Sequence, residues 1–222
     1  QKFIRGREDL VVEFGSNDGA LLSALKGRCR VLGVDPAQNM VALAKKRGVP
    51  TMTAFFGEET AGRIREKYGE AKVIVANNVF AHIDNLHDVM RGVALLLRRG
   101  GVFISESHWV GNLIGEGGFD QIYHEHLSYY SLHALQTLAR AHGFIVADAE
   151  LFLIHGASIR VYMRKRGAPS NQVKRLLLRE TALGLTKISP FLELAKKAKK
   201  TRSALQQLIK KFALSKKVIT LF

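Results

Sequence analysis

The chain has 222 residues, 47% of them hydrophobic, which is enough for one domain, or one domain plus a subdomain, with a full core; intrinsic disorder is excluded for most of it. A single cysteine, Cys29, rules out an intramolecular disulfide and a Cys-clustered zinc site within these residues, and no run approaches the ~18 apolar residues that span a bilayer. The net charge of +15 is unevenly placed: residues 164–217 hold 16 of the 34 lysines and arginines, opposed only by Glu180 and Glu193, while the residues before them carry 18 basic and 17 acidic groups. With no basic start leading into an apolar segment, the chain is expected to be soluble and cytoplasmic, with a neutral body and a basic tail.

The body alternates short β-rich runs with helical patterns, as an α/β sheet covered on both faces does. Strands are expected at Leu10–Phe14, Val31–Asp35, Val49–Thr53, Val73–Asn77 and Gly101–Glu106. Leu86, Val89, Met90, Val93, Leu96 and Leu97 recur at three and four residues, giving one helix face that ends at Arg98-Arg99-Gly100-Gly101. Gly111–Asp120 is glycine-rich and aperiodic, so a loop is expected there. Ser131–His142 reads as a helix, and Ile145–Ile154 and Ser158–Arg164 as two strands of an antiparallel hairpin around His155-Gly156. From Ala168 the pattern is helical only. Phe191, Ala198, Leu205 and Phe212 recur every seven residues, with Leu194, Ala195, Leu208 and Ile209 between them, giving an apolar stripe along a helix of about six turns. Such a stripe is expected to dock on the α/β body, a second subunit or a further domain. Ser215–Phe222 turns apolar and β-like.

Glu13-Phe-Gly-Ser-Asn-Asp-Gly19 follows the first strand and opens the first helix, where glycine admits positive φ and close approach of a ligand. Asp35, followed by Pro36, closes the second strand 20 residues after Gly15, a spacing that lets a carboxylate accept from both ribose hydroxyls of an adenine nucleoside. That spacing suits NAD and S-adenosylmethionine alike. Gly15-Ser16-Asn17-Asp18-Gly19 lacks the GxGxxG pattern that admits a pyrophosphate, whereas the sulfonium and ammonium of S-adenosylmethionine favour the polar and acidic groups of Glu13, Asn17 and Asp18. A tight strand-to-helix connection alone would also explain the glycines. Asn77-Asn78, at the carboxyl edge of the same expected sheet, tips the reading toward a cofactor site built from Glu13, Gly15, Ser16, Asn17, Gly19, Asp35, Pro36, Asn77 and Asn78.

Gln121-Ile-Tyr-His-Glu-His126 is the densest cluster of titratable groups. A histidine accepts protons near neutral pH, a neighbouring carboxylate can fix its tautomer, and Tyr123 can donate to a developing oxyanion. Three plainer readings compete: His124 and His126 as metal ligands, although no third ligand sits at a recognisable spacing; a solvated loop; or one core histidine satisfied by backbone.

Four blocks of this sequence resemble the S-adenosylmethionine-dependent sugar C-methyltransferases that act on nucleotide-linked keto-deoxysugars: Val11-Val-Glu-Phe-Gly-Ser-Asn-Asp-Gly-Ala-Leu-Leu22, Asn78-Val-Phe-Ala-His-Ile83, Ile122-Tyr-His-Glu-His-Leu-Ser-Tyr-Tyr-Ser131 and His155-Gly-Ala-Ser-Ile-Arg-Val-Tyr162. The resemblance implies a Rossmann-like class I methyltransferase, a mostly parallel sheet ending in an antiparallel hairpin and followed by a helical C-terminal extension. It implies His126 as general base, Tyr123 and Glu125 beside the sugar, and cofactor contacts from Gly15, Asn17, Gly19 and Asp35. Tyr123 or His124 would stabilise the enolate oxygen, and no metal is called for. Residues 1–166 are expected to form the cofactor-binding domain, 167–215 a basic helical extension, and 216–222 the first strand of the family's C-terminal domain. The expected partner is a small molecule; nucleic acid, suggested by the basic tail, ranks below it, as does a non-catalytic binding module, and self-association through the C-terminal helix is compatible with the stripe. Ser105-Glu-Ser-His-Trp109 departs from the Pro-containing segment expected of that family.

Overall fold

A computed structural model of the chain describes residues 2–152 and 158–214. The expected strand at 216–222, the end of the strand expected to reach Ile154, and the His155-Gly156 connection lie outside the described residues. One seven-stranded sheet organises the rest: β1 (Leu10–Phe14), β2 (Arg30–Asp35), β3 (Thr51–Thr53), β4 (Ala71–Asn77), β5 (Leu97–His108), β6 (Ile145–Phe152) and β7 (Ser158–Arg164), in the order β3-β2-β1-β4-β5-β7-β6. All neighbours pair in parallel until β7, which runs antiparallel to both β5 and β6. The antiparallel hairpin at the edge is therefore as expected. Among the described residues the helices are α1 (Ala20–Ser23), α2 (Gln38–Lys46), α3 (Glu58–Tyr68), α4 (Leu86–Leu96), α5 (Val110–Glu116), α6 (Leu132–Ala141), α7 (Asn171–Ala182) and α8 (Ser189–Leu214).

Burial explains the assignments. β1 is buried along its whole length, as a central parallel strand covered on both faces must be, and Phe14, Phe80 and Phe103 meet inside the sheet's larger core with centroids 5.7–6.4 Å apart. Side-chain oxygens of Asn85, Ser131 and Ser170 accept the N–H groups of Asp88, Ala134 and Val173, capping α4, α6 and α7. The sheet order reverses direction between β1 and β4, so the segments after these two strands open onto one crevice at the carboxyl edge.

Three expectations need correction. β5 begins at Leu97 rather than Gly101: Ala71 pairs with Leu97 and Val73 with Val102, so Arg98-Arg99-Gly100-Gly101 bulges out of a strand already begun. The backbone itself requires the glycines there, with Gly100 at φ +77° and no room for a Cβ at Gly101, 2.9 Å from the Lys72 carbonyl. The segment expected to be a loop from Gly111 is instead α5, followed by a 3-10 turn at Phe119–Gln121. Burial of Val110 and Leu113 outweighs the weak helix propensity of its glycines, and a Cβ at Gly111 would lie 2.3 Å from the Trp109 ring. The strand expected at Val49–Thr53 is confined to Thr51–Thr53.

Among the described residues the apolar stripe of α8 is only partly covered. Leu194 is buried and Phe191 and Ala198 are half-buried, while Leu205, Leu208, Ile209 and Phe212 stay exposed. No helix among the described residues is long and apolar enough to cross a membrane.

Candidate active site

The turn after β1 climbs through alternating left-handed positions, with Gly15 at φ +63°, Asn17 at +50° and Gly19 at +74°. Gly15 is sterically required, because a Cβ there would lie 2.4 Å from Val79 Cγ2. Asp35, at the end of β2, organises the turn: its two carboxylate oxygens accept the N–H groups of Asn17 at 2.8 Å and Ala37 at 2.9 Å. Each of those oxygens retains a second lone pair for a further donor. Asp18 instead pairs with Arg47 at 2.7 Å on the outside.

A cleft of about 620 Å³ opens beside this turn, lined by Gly15, Asp35 and Pro36 from the first two strand ends, Phe55 and Phe56 after β3, and Val79, His82, Ile83, Asp84 and Asn85 after β4. Glu13 Oε2 and Ser16 Oγ are buried without a hydrogen-bond partner among the described residues. Burial, reinforced by the charges of Asp18 and Asp35, pushes the Glu13 carboxyl up to about 8. Asn77 and Asn78, at the end of β4, are not among the residues that line this cleft; Asn78 stands at φ +53° and donates its N–H to the Glu106 carbonyl at 2.8 Å. An adenosyl group with an ammonium-bearing tail fits this donor and acceptor set. Asp35 suits ribose hydroxyls, Pro36 and the phenylalanines suit an adenine face, and the orphaned Glu13 oxygen suits a cation.

The segment from Gly117 to Tyr130 is tied down at its far end. Val110 donates its N–H to the Tyr130 carbonyl at 3.0 Å, the Tyr130 hydroxyl donates to the Phe80 carbonyl at 2.9 Å, and Leu127 donates its N–H to the Ala81 carbonyl at 2.7 Å. Within it, His126 is buried. Its Nδ1 lies 3.0 Å from the Gln121 carbonyl and its Nε2 3.0 Å from the Tyr123 hydroxyl. A carbonyl only accepts, so Nδ1 carries the proton, leaving Nε2 as the basic nitrogen, which accepts from the tyrosine.

Of the four clustered residues, the fold brings Tyr123 and His126 together and turns the other two outward. The side chains of His124 and Glu125 are 90% and 62% exposed and only 4.0 Å apart from one another. The expectation that a neighbouring carboxylate fixes the histidine tautomer is corrected, since the fixing group is the Gln121 carbonyl. His124 and His126 also face opposite ways, one to solvent and one inward, so they do not share a face. Glu125 contributes through its backbone, whose carbonyl accepts from His82 Nδ1 at 2.9 Å.

Two residues that were assigned no role surround His126 instead. The rings of His82, from the 3-10 turn after β4, and His108, at the end of β5, each lie 5.1 Å from its ring, and Tyr129 stands edge-on at 5.9 Å. His82 belongs to the Asn78–Ile83 block, and its place after a strand end was the one available signal. His108 lies in the segment that departs from the family pattern. Beside them, Arg160 on β7 binds Glu106 on β5 at 2.7 Å and lies over the Phe152 ring at 4.3 Å, joining the antiparallel hairpin to the crevice wall.

Residues 3–149 match the profile of a methyltransferase domain, and residues 153–222 that of a C-methyltransferase C-terminal domain. The C-methyltransferase NovU of Streptomyces niveus is 37% identical over 206 residues, 91% of this chain and 49% of NovU, so the chain spans about half the length of that relative. Among solved structures, a SAM-dependent methyltransferase from Archaeoglobus fulgidus superposes with a TM-score of 0.59 at 13% identity, covering 72% of this chain and 88% of that one. The DhpI complex with SAH does so with a TM-score of 0.52 at 17% identity, covering 73% and 78%. These structural likenesses establish a Rossmann-like methyltransferase fold. The match over residues 3–149 shows that the chain belongs to the methyltransferase-domain family.

Proposed function

We propose that this chain carries the methyl-transfer half of an enzyme that methylates a carbon next to a ketone on a nucleotide-linked sugar. The observation that carries the reading is His126, a buried imidazole whose Nδ1–H is held by the Gln121 carbonyl so that Nε2 is the basic atom. Bound S-adenosylmethionine supplies an electrophilic methyl group. Glu13, Gly15, Ser16, Asn17, Gly19, Asp35, Pro36, Asn77 and Asn78 hold and orient it, with Phe55 and Phe56 as the walls beside the adenine.

A carbon nucleophile requires loss of a proton, which is acidic next to a ketone when the resulting oxygen anion is stabilised. His126 Nε2 takes that proton and becomes an imidazolium, whose Nδ1–H stays on the Gln121 carbonyl. The electron pair of the broken C–H bond moves to the ketone oxygen. Substrate entry displaces the Tyr123 hydroxyl from Nε2, and this half-exposed side chain is then free to donate to the enolate oxygen. His82 and His108, flanking the imidazole, wall the pocket on the β4 and β5 side. Orientation supplies most of the remaining rate, because carbon and methyl must meet in line. O- or N-methylation would need only a weaker base, so a buried, tautomer-fixed histidine favours carbon.

Solvent deuterium exchange tests the assignment. With a nucleotide-linked keto-deoxysugar, His126→Ala is expected to abolish exchange at the carbon next to the ketone while leaving S-adenosylhomocysteine affinity within about two-fold. Unchanged exchange in the variant would place the base elsewhere.

A further inference from the structure

The opposite, amino-terminal edge of β5 carries a second cleft, of about 590 Å³, between the bulge at Arg99–Gly101, the end of α6 at His142–Gly143, and the end of β7 at Arg164–Arg166. Its charge is of one sign. Among the described residues, Arg99, Arg164, Lys165 and Arg166 form no ion pair with any carboxylate. Lys165 Nζ donates to the carbonyls of Ala94 and Leu97 at 2.8 and 2.7 Å, and Lys72 Nζ donates to the Gly100 carbonyl at 2.9 Å. Those acceptors are neutral, so the hydrogen bonds that anchor Lys165 in the lining, and Lys72 behind Gly100, do not neutralise either ammonium group. The nearby carboxylate of Asp9 is already taken, by Arg98 at 2.6 Å and the Arg5 N–H at 2.7 Å. Burial, and then the charges of Arg98 and Arg5, lower the Lys72 ammonium below the usual lysine range against the opposing charge of Asp9.

We propose that this cleft binds a diphosphate group, whether free or as the diphosphate of a nucleotide. Guanidinium forks match phosphate oxygens, and Arg99 from the bulge of β5 and Arg166 from the end of β7 both line the cleft, exposed and without an ion pair among the described residues. The open backbone at Gly100 and Gly143, where an added Cβ would meet nothing within 4 Å, leaves the floor accessible to a compact ligand. Arg99, Arg164, Lys165 and Arg166 around one cleft offer more charged donors than a single phosphate uses, which favours two linked phosphates. The volume lies in the range of small-molecule sites. Nucleic acid is the weaker fit, because it calls for a continuous basic track. The lysine-rich helix α8 packs against α5, beyond the far end of β5, and the strand from Gly101 to His108 puts roughly 23 Å between the two regions.

Titration calorimetry on this chain at about 0.15 M salt decides the matter, using inorganic pyrophosphate, a nucleoside diphosphate, orthophosphate, sulfate and a single-stranded oligonucleotide. Pyrophosphate is expected to bind at least ten-fold more tightly than orthophosphate or sulfate and to lose at least ten-fold in the double variant Arg99→Ala/Arg166→Ala. S-adenosylhomocysteine affinity, unchanged in that variant, verifies its fold. Both arginines are solvent-facing and remote from the crevice, so nucleoside diphosphate binding that survives the two substitutions reports the active site instead. A nucleotide bound more tightly than pyrophosphate, and weakened by the same substitutions, identifies the nucleotide as the source. Equal binding of pyrophosphate and sulfate, or pyrophosphate affinity unchanged in the double variant, would overturn the proposal. Oligonucleotide affinity exceeding that of pyrophosphate and lost with the same arginines would replace it with a nucleic-acid surface.

Discussion

Glu180 on α7 accepts the indole N–H of Trp109 at 2.7 Å, across 71 residues of chain, and is fully buried while doing so. The same carboxylate accepts the N–H groups of Leu132 and His133 at 2.6 and 3.0 Å and meets His133 Nδ1 at 2.7 Å, so it sits on the first turn of α6. Arg179 lies over the Trp109 ring at 4.9 Å. One acidic residue of the basic tail thus ties the end of β5 to the start of α6, the two points from which the His126 segment is suspended.

Removing that acceptor leaves several buried donors unpaired, each costing about 1–3 kcal/mol. Glu180→Ala is expected to lower unfolding stability by about 3 kcal/mol or more, and Glu180→Gln, which keeps one acceptor oxygen, by about half as much. Chemical denaturation measures both. Trp109 is the single tryptophan, so its native-state emission reports the loss of the bond directly. A Glu180→Ala midpoint matching the parent would refute the anchoring role.

Asp35 is expected to dominate ribose recognition while also holding the Asn17 and Ala37 N–H groups. A hydrogen bond to a charged group contributes about 1.5–3 kcal/mol, so Asp35→Ala should weaken S-adenosylhomocysteine binding by roughly ten-fold to a hundred-fold in calorimetry. Tight binding of NAD in place of S-adenosylhomocysteine would contradict the assignment of this crevice.

Glu13 makes stability depend on pH in a defined direction. Its carboxyl is raised in the folded chain to about 8 from its ordinary value of 4.5, chiefly by burial. Below pH 4.5 folded and unfolded chains are both protonated and the group has no effect. Between 4.5 and 8 the unfolded chain releases the proton while the folded one keeps it, so stability falls as pH rises, with a limiting slope of about 1.4 kcal/mol per pH unit; above 8 both are ionised and the slope ends. Glu13→Gln is expected to flatten this part of the stability profile, read from urea midpoints at pH 5, 6, 7 and 8. A cationic cofactor tail placed beside Glu13 favours the ionised form. S-adenosylhomocysteine should therefore bind more tightly toward pH 8 and release a proton, seen as a binding enthalpy that varies with the buffer's ionisation enthalpy. Parallel profiles for parent and variant would show that Glu13 does not titrate in this range.

Local chemistry was enough to read the elements whose signal is local. The alternation of strands and helices, the Gly15–Gly19 turn with Asp35 one strand later, and the capped helix after Ser131 follow from periodicity, φ requirements and side-chain length. Those features persist whichever neighbours surround them. Interactions between distant segments decided the rest. Burial against the core made α5 a helix despite its glycines, and an unpaired stretch opposite Lys72 turned Arg98–Gly101 into a bulge within β5. In the reactive cluster the sequence supplied Tyr123-His-Glu-His126, but two adjacent residues in a curved segment face different environments. Only the packing against Ala81 and Phe80 decided that His126 points inward while His124 and Glu125 face solvent. His82 and His108 joined the site because β4 and β5 end side by side, a register that pairs Asn77 with Glu106. Glu180 looked like a stray acid in a basic tail until the fold placed it under Trp109 and α6, because a buried carboxylate is defined by donors that come from elsewhere in the chain.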